Sequence, residues 1–452
     1  MRLIDSLAAT SALAEVFSDA SLLAAMLQFE VALARVEARI GVIPQAAADA
    51  IAASTITDFD SDALASQALQ SATLSIPFVK ALTAEVRKRD PQAAGFVHWG
   101  ATSQDLGDSA LMLLLKRAQP VIEQDLRRLE TALSKLSESH QHTVMLGRTL
   151  LQAAPPITLG LKSAGWLGAV RRCHTRLSAS FDEALVLQFG GASGTLASLG
   201  TKGLVLGEAL AGELDLHLPD APWHTHRDRL AALICACGVL TGCLGKIARD
   251  ISLLMQTEVA EVAEPSGEGR GGSSAMPHKH NPSGCAVALA AAARTPGLVA
   301  AFLTGMVQEH ERGVGGWQAE WPTVASVIQT TGLAAASLAE VAEGLTVDAE
   351  QMRKNIEATR GAIFSEKASL LLGQKLGREA AHRLLEKAAR QATAEKRRLT
   401  EVLAEMPEVT QHLDAATLAK LESPEDYLGV SEEFRLRLLA SRESPASKPK
   451  KE

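Results

Sequence analysis

The chain has 452 residues, of which 47% are hydrophobic and only 4% aromatic, and its formal net charge is −7. A length of this order corresponds to about three domains, and the many alanines and leucines favour helices over sheets. The negative charge excludes an electrostatic surface for nucleic acid, and any anionic substrate must be held by local cations.

The N-terminus and the cysteines indicate the compartment. Residues 1–19 lack the uninterrupted apolar core of a signal peptide, and no charge-free apolar run reaches membrane length. The five cysteines form no CxxC pair and are typical of small buried residues in a reducing compartment. We therefore expect a cytoplasmic protein with no membrane partner and no zinc site at Cys235, Cys237 and Cys243.

Apolar periodicity predicts short helices followed by long ones. Residues 22–40 form one helical pattern, and Gly41 stands where a C-cap glycine belongs. Long periodic segments then follow at 121–136, 230–255, 283–306 and 324–345. Beyond Thr346 the predicted helices are shorter and more highly charged.

These patterns predict an all-α fold with three helical domains and a polar tail. The domains are an N-terminal domain at 1–108, a central long-helix bundle at 109–345, and a small C-terminal domain at 346–440. Residues 441–452 are polar, and we expect them to be disordered. One chain can rarely cover several long apolar helices on all sides, so we expect a homo-oligomer.

The most informative stretch is GSSAMPHKHNP, at 272–282. It places the hydroxyls of Ser273 and Ser274, the ammonium of Lys279 and the carboxamide of Asn281 in one turn-rich segment. The preceding glycines are suited to a hinge, so the segment 267–275 is expected to be mobile without ligand. A solvated turn between helices needs neither the paired serines nor the lysine.

A second polar cluster begins at His98 and reads HWGATSQD. Gly100 allows close backbone approach, and Thr102 and Ser103 offer hydroxyls and amides at an expected helix N-terminus. Such a terminus binds anions through its free amides and its dipole. Taken alone, the same pattern fits an ordinary helix cap equally well.

A third cluster, GRTLLQAAP at 147–155, contains Thr149, Leu150 and Gln152.

The paired histidines His224 and His226, like His140 and His142, are spaced i,i+2 and would point to different helix faces. We expect solvated or capping roles for them rather than metal binding, and surface positions for His382 and His412.

The stretch at 272–282 resembles the signature of the fumarase/aspartase superfamily, Gly-Ser-Ser-x-Met-Pro-x-Lys-x-Asn-Pro, and meets every fixed position. The other two clusters resemble the superfamily's His-x-Gly-x-Thr-Ser-x-Asp and Gly-Arg-Thr-His-x-Gln segments. The resemblance covers essentially the whole chain. It implies an all-α homotetramer with a shared central helix bundle, active sites between three subunits, a small-molecule substrate, and no metal, nucleotide or redox cofactor.

The resemblance also implies roles for individual residues. The catalytic candidates are Ser273, Lys279 and His98. The substrate-binding candidates are Thr102, Ser103, Thr149, Gln152, Ser274, Asn281 and Arg312, the last in a His-Glu-Arg segment. For proton transfer, Ser273 is the candidate by analogy with relatives, and Lys279 is a rival because serine is a weak acid.

The chain departs from the superfamily pattern at two positions. Leu150 stands where fumarate-forming members carry an active-site histidine, and Ala286 stands where they carry its glutamate partner. Losing one partner leaves a buried charge unpaired, whereas losing both indicates a coherent change of chemistry. We expect Leu150 and Ala286 to form an apolar wall of the active site.

The double departure, with the stretches 187–194, 223–229 and 317–321, resembles the cycloisomerase branch of the superfamily. The resemblance implies that a carboxylate of a tricarboxylate diene adds across a double bond and closes a lactone. Because this nucleophile belongs to the substrate, no second base is needed. Two alternatives stay open: a fumarate-releasing lyase of the adenylosuccinate or argininosuccinate type, and a non-catalytic tetrameric scaffold.

Overall fold

The computed structural model describes residues 3–267, 271–272, 276 and 279–440. Residues 441–452, which the sequence predicts to be disordered, and most of the predicted hinge at 267–275 lie outside these ranges. The α-helices of the chain are α1 Ser11–Val16, α2 Asp19–Arg39, α3 Gln45–Ala52, α4 Ser61–Ser71, α5 Ser75–Arg89, α6 Ser103–Ser139, α7 Leu159–Ala184, α8 Gly203–Leu214, α9 Asp228–Leu254, α10 Ser283–Thr304, α11 Gly316–Glu343, α12 Ala349–Ala358, α13 Ser365–Leu376, α14 Arg378–Glu395, α15 Leu399–Ala404, α16 Pro407–Thr410, α17 Ala415–Leu421 and α18 Ser431–Ala440.

The strands form two antiparallel pairs: β1 Val144–Thr149 with β2 Gln152–Thr158, and β3 Val262–Ala263 with β4 Thr346–Val347. The predicted all-α class is confirmed, because these two short pairs are the only sheets among the described residues. Each long periodic segment of the sequence corresponds to one helix, in α6, α9, α10 and α11. The helix α7 was not among the predicted segments, since glycines and charges interrupt its apolar pattern.

The chain forms two compact units. Unit 1 contains residues 1–127, 172–245 and 287–337, and unit 2 contains the remainder. The division falls within α6, α7, α9, α10 and α11, so each unit contains a segment of every one of these long helices. The three-domain boundaries drawn from the sequence stay a prediction.

In unit 1, α2 is buried along the face that its apolar periodicity predicts. Ser18 caps its first turn by accepting a hydrogen bond from the Ser21 amide, and Gly41 follows its end with φ +71°. The helix packs against α3 and α8. Two acidic residues, Glu30 and Glu37, lie seven residues apart on this helix and are buried with the apolar side chains.

In unit 2, the β1–β2 hairpin is seated on the C-terminal helices. Val144 and Leu146 of β1 are buried with Ile356 of α12 and with Ile363 and Phe364. The register shifts between Leu146 and Gly147. A separate apolar cluster joins α13 to α17. The hairpin therefore projects from a packed base.

Contrary to the expectation that no charge-free apolar run reaches membrane length, three helices, α9, α10 and α11, are long and apolar enough to cross a membrane, by length and composition alone. In α9 and α11, 61% of the most apolar 18-residue stretch of the helix is buried inside the chain, but in α10 the buried share of that stretch is 22%. Much of the apolar surface of α10 is therefore not covered by its own chain.

Glu37 makes the stability of the fold dependent on pH. Burial, and then the neighbouring charge of Glu30, raise the pKa of Glu37 from 4.5 to about 9. The folded state therefore keeps a proton that the unfolded state releases. The stability from this group is fully present below pH 4.5 and is lost as the pH rises through about 9.

We predict that Glu37→Gln, which cannot lose a proton, flattens this decline between about pH 5 and pH 8, by roughly 1–3 kcal/mol in the free energy of unfolding. Urea denaturation at several pH values measures the effect. The exposed Glu15 of α1 provides the control, since Glu15→Gln should keep the wild-type slope. An unchanged slope in Glu37→Gln would show that Glu37 is ionised in the folded protein.

Candidate active site

The segment from His98 to Asp105 forms a tight turn that leads into α6. His98 and Gly100 both have left-handed backbone, with φ of +59° and +71°. A Cβ atom at Gly100 would lie 2.7 Å from Leu199 Cδ2, so this approach requires glycine. The helix begins at Ser103, which gives Thr102 and Ser103 the predicted place at a helix N-terminus.

Asp105 connects this turn to a glycine loop. Its side chain is fully buried, and its Oδ1 accepts hydrogen bonds from Gly190 N at 3.0 Å and His224 Nε2 at 2.8 Å. Its Oδ2 accepts from Gly191 N at 2.8 Å and Thr102 N at 3.1 Å. Hydrogen bonds to a charged acceptor are stronger than neutral ones, so Asp105 fixes the conformation of both backbone segments.

The expectation that His224 is solvated or caps a helix is wrong. It lies in the loop before α9, and its ring is buried against Asp105. A Cβ atom on Gly190 would come within 2.8 Å of His224 Cε1, so glycine there makes room for the ring. His226 is exposed, and the predicted surface positions of His382 and His412 are confirmed.

A second buried group surrounds Arg227. Its Nη1 and Nη2 donate to Asp108 at 2.8 and 3.0 Å. Its Nε and Nη2 donate to Glu320 Oε2 at 3.0 and 2.6 Å. Trp317 Nε1 adds a hydrogen bond to Asp108 at 2.9 Å. Burial opposes the charge on Arg227, but the two carboxylates outweigh it and raise the pKa of the guanidinium.

Two glutamines join the two buried groups. Gln104 Nε2 donates to Asp108 at 3.1 Å and to the carbonyl of His224 at 2.7 Å. Gln188 Nε2 donates to Asp108 at 3.2 Å, and its Oε1 accepts from Trp223 N at 3.0 Å. The stretches 187–194, 223–229 and 317–321, which the sequence analysis noted only as a resemblance, therefore meet in one buried polar network.

Arg312 holds the glycine loop from its other side. Its Nη2 donates to the carbonyl oxygens of Gly191 at 3.0 Å and Ala192 at 3.3 Å. Asp105 takes the amides of the same loop. Unit 1 therefore gathers His98, Thr102, Ser103 and Arg312 around Asp105 and this loop.

In unit 2, the tip of the β1–β2 hairpin presents the third cluster. Thr149 pairs with Gln152, and both residues of the turn between them have positive φ, +50° at Leu150 and +64° at Leu151. Such turns favour Asn-Gly. Leu150 is 97% exposed and Leu151 74% exposed. Two exposed leucines in strained backbone are unfavourable in a free turn, and strain of this kind concentrates at functional sites.

Arg148 anchors the hairpin beneath this tip. Its Nη1 and Nη2 donate to Glu261 at 3.0 and 2.6 Å, and Asn355 Nδ2 donates to the same buried carboxylate at 2.8 Å. A Cβ atom on Gly147 would lie 2.4 Å from the Pro155 carbonyl oxygen. These contacts fix the backbone of the hairpin, and with it the positions of Thr149, Leu150 and Gln152.

The described part of the signature segment also lies in unit 2. Lys279 is exposed, and Asn281 N donates to the Gly271 carbonyl at 2.8 Å. Ala286 is exposed in the first turn of α10. Glu264 accepts hydrogen bonds from the Gly284 and Cys285 amides at 2.9 and 2.8 Å, so a carboxylate of the chain already occupies this helix terminus.

Ser273 and Ser274 lie outside the described residues. Among the described residues, no three histidine, cysteine or acidic side chains are grouped so that they could hold a metal ion.

Sequence reasoning missed several residues of this site. It assigned no role to Glu30, Asp105, Asp108, Arg227 or Glu320, all of which are buried. A signal was present for Glu30, because it is an acidic residue inside the helical pattern at 22–40, four residues after Met26 and three before Leu33.

Comparison with known proteins identifies the family of the chain. The lyase family matches residues 6–297, and the C-terminal part of the adenylosuccinate lyases matches residues 361–438. The chain belongs to this lyase family, and the predicted membership of the fumarase/aspartase superfamily is confirmed.

Three relatives define the similarity further. The 3-carboxy-cis,cis-muconate cycloisomerase of Bradyrhizobium diazoefficiens is 49% identical over 442 residues, which cover 98% of each chain. The crystal structure of 3-carboxy-cis,cis-muconate lactonizing enzyme from Pseudomonas putida matches with a TM-score of 0.92 at 46% identity, covering 97% of this chain and 98% of that one. The nitrosuccinate lyase of Streptomyces davaonensis is 43% identical over 423 residues, with 92% and 89% covered.

We predict that Arg227→Lys destabilises the protein by roughly 3–5 kcal/mol, because an ammonium cannot pair with Asp108 and Glu320 through the same fork of donors. Thermal and urea unfolding measure the change. Arg229→Lys is the control, because Arg229 is only partly buried and should stay within about 0.5 kcal/mol of wild type. Equal stability of the two variants would mean that the buried carboxylates do not depend on the guanidinium.

Proposed function

We propose that the protein is a cofactor-independent cycloisomerase that converts 3-carboxy-cis,cis-muconate to 4-carboxymuconolactone, a step of protocatechuate degradation, in the cytoplasm. The supporting observation is full-length likeness to proteins named for this activity, in a chain where Leu150 and Ala286 replace the acid–base pair of fumarate-forming relatives.

The residues suit the charge that this reaction develops. When one substrate carboxylate adds across a double bond, negative charge accumulates on another as an aci-carboxylate, and a proton must reach the adjacent carbon. Donors preorganised at that position lower the barrier. Lys279, Asn281 and the α6 terminus at Thr102 and Ser103 are the stabilising groups. Ser273 and Lys279 are the candidates for the proton donor.

In this proposal, the side chain of Leu150 forms an apolar wall that keeps water away from the substrate. It is 97% exposed in the single chain, so it can exclude water only where another subunit covers it. A dry apolar wall strengthens nearby electrostatic interactions. It also removes a side chain that could activate an external nucleophile.

The second candidate is a fumarate-releasing lyase. The match of residues 361–438 to the adenylosuccinate lyase C-terminus and the 43% identity to a nitrosuccinate lyase favour it. The loss of the histidine–glutamate pair at Leu150 and Ala286 opposes it.

One assay separates the candidates. Purified protein is given 3-carboxymuconate, with loss of the diene absorbance and lactone formation as readouts. In parallel reactions it is given adenylosuccinate, argininosuccinate or nitrosuccinate, with substrate consumption as the readout. We expect lactone from the first reaction and no consumption in the others. Turnover of a succinate derivative without lactone formation supports the lyase, and no turnover of any substrate supports a scaffold.

We propose that the protein is a homotetramer and that each active site lies where three subunits meet. Each of the three subunits supplies a different one of the three polar clusters described in the sequence. The exposed apolar surface of α10 supports assembly, since only 22% of its most apolar 18-residue stretch is buried by its own chain. We predict a tetramer by multi-angle light scattering in buffer without detergent. A monodisperse folded monomer at micromolar concentration, or solubility only in detergent, contradicts it.

We predict that Lys279→Met abolishes most turnover while the fold is kept. Loss of one charge-assisted contact to the developing charge typically costs ~2.7–4 kcal/mol, about 10²–10³ in rate. Steady-state kinetics and circular dichroism measure both effects. The exposed Lys387 of α14 provides the control variant Lys387→Met. A kcat close to wild type removes Lys279 from the mechanism.

The last prediction for this function concerns Leu150. Leu150→His should reduce lactonisation and weaken the assembled protein, because the imidazole has no partner where the subunits cover it. Ala286→Glu in the same chain should restore part of the stability. Stability and kcat/KM are measured for both single variants and the double variant.

Leu151→His places a histidine one residue further along the same exposed turn and is the matched control. Strictly additive stability changes in the double variant would show that positions 150 and 286 do not meet in the assembly. Unchanged lactonisation in Leu150→His would show that Leu150 does not distinguish this protein from the lyases.

A further inference from the structure

His98 forms a close pair with an acidic residue of α2. Its Nδ1 lies 2.6 Å from Glu30 Oε1, within the range of a charge-assisted hydrogen bond. The two side chains are 15% and 1% exposed. His98 also holds a left-handed backbone conformation, φ +59°, which is costly for a residue with a side chain. The chain therefore holds this imidazole in a defined orientation at the turn that precedes Thr102 and Ser103.

The pair determines which ring nitrogen is available to a ligand. Because Nδ1 faces Glu30, only Nε2 can contact a substrate. A neutral ring that donates from Nδ1 to Glu30 presents a lone pair at Nε2, which repels a carboxylate. An imidazolium donates from both nitrogens. The protonation state therefore decides whether His98 repels or binds an anion.

We propose that Glu30 is a positioning residue that holds His98 as an imidazolium, so that Nε2–H donates to a carboxylate of the substrate beside the α6 terminus. The identity of that anion rests on the proposed function, whereas the state of the ring does not. A protein with a net charge of −7 that takes a tricarboxylate needs such local cations, and His98 adds one at the site of Thr102 and Ser103.

The charged groups around the ring support this assignment. Burial works against protonation, but the charge and hydrogen bond of Glu30 and the charge of Asp105 outweigh it and raise the pKa of His98. Asp105, from α6, is itself bonded to His224 and interacts with Arg312. Glu37 lies seven residues after Glu30 on α2, and burial, followed by the charge of Glu30, raises the pKa of Glu37 to about 9, so Glu37 adds no charge of its own beside this pair at neutral pH.

The variants Glu30→Gln and Glu30→Asp test the proposal, with Glu37→Gln as the matched control. Glu37→Gln also replaces a buried glutamate of α2, but one that is already uncharged at neutral pH. Two readouts are recorded for each. The first is the pH profile of kcat/KM on 3-carboxymuconate. The second is the titration of His98 in the intact protein, by NMR of ¹³C-labelled histidine assigned with His98→Gln.

We expect wild-type His98 to titrate above its ordinary 6.5 and the activity to fall as the ring loses its proton. In Glu30→Gln both the titration and the alkaline limb of the profile should move to lower pH by about 1–3 units. Glu30→Asp should recover part of the shift, and Glu37→Gln should show none.

The outcomes distinguish this proposal from the proposed function. Wild-type His98 titrating below 6.5 overturns the imidazolium without any variant. An unmoved titration in Glu30→Gln, or in Glu30→Asp where the glutamine variant does not fold, overturns the role of Glu30. If wild type fails to turn over 3-carboxymuconate, the proposed function fails, while the NMR titration still decides the state of His98.

Discussion

The burial of charged side chains at the start of α6 is the constraint on which the rest of unit 1 depends. Asp105 and Asp108 are buried one helical turn apart, and a carboxylate without water must be paired or hydrogen-bonded. Asp105 accepts hydrogen bonds from backbone amides and from His224, while Asp108 accepts them from Arg227 and Trp317. Satisfying these two groups brings four separate stretches of the sequence together and fixes the turn that carries His98, Thr102 and Ser103.

Unit 2 positions its residues by a different device. The hairpin is anchored below by the Arg148–Glu261 pair and by a contact that only glycine permits at position 147. Its tip then carries strained, exposed leucines. Rigid support beneath a strained tip keeps the tip in one conformation before any partner or substrate arrives. Such preorganisation suits a wall that has to exclude water.

The two changes from the superfamily pattern have a common physical meaning. An external nucleophile needs a base to activate it, and a histidine–glutamate pair supplies one. A carboxylate that attacks within its own molecule needs orientation and charge stabilisation instead. On the proposed function, the pair at positions 150 and 286 is dispensable, whereas cations and amide dipoles become more important. The structure holds a different histidine–glutamate pair, His98 with Glu30, which on our proposal charges a binding group rather than a base.

The sequence by itself determined the helical class, most of the long helices and the superfamily, because helical periodicity and an eleven-residue signature are local properties of the chain. It also located the helix terminus at Ser103. It could not show that Glu30 meets His98, that His224 is buried on Asp105, or that Arg227 joins Asp108 to Glu320, since these partners are 68 to 119 residues apart. Only tertiary packing decides which buried charge finds which partner, because the desolvation that forces the pairing does not exist until distant segments exclude water together.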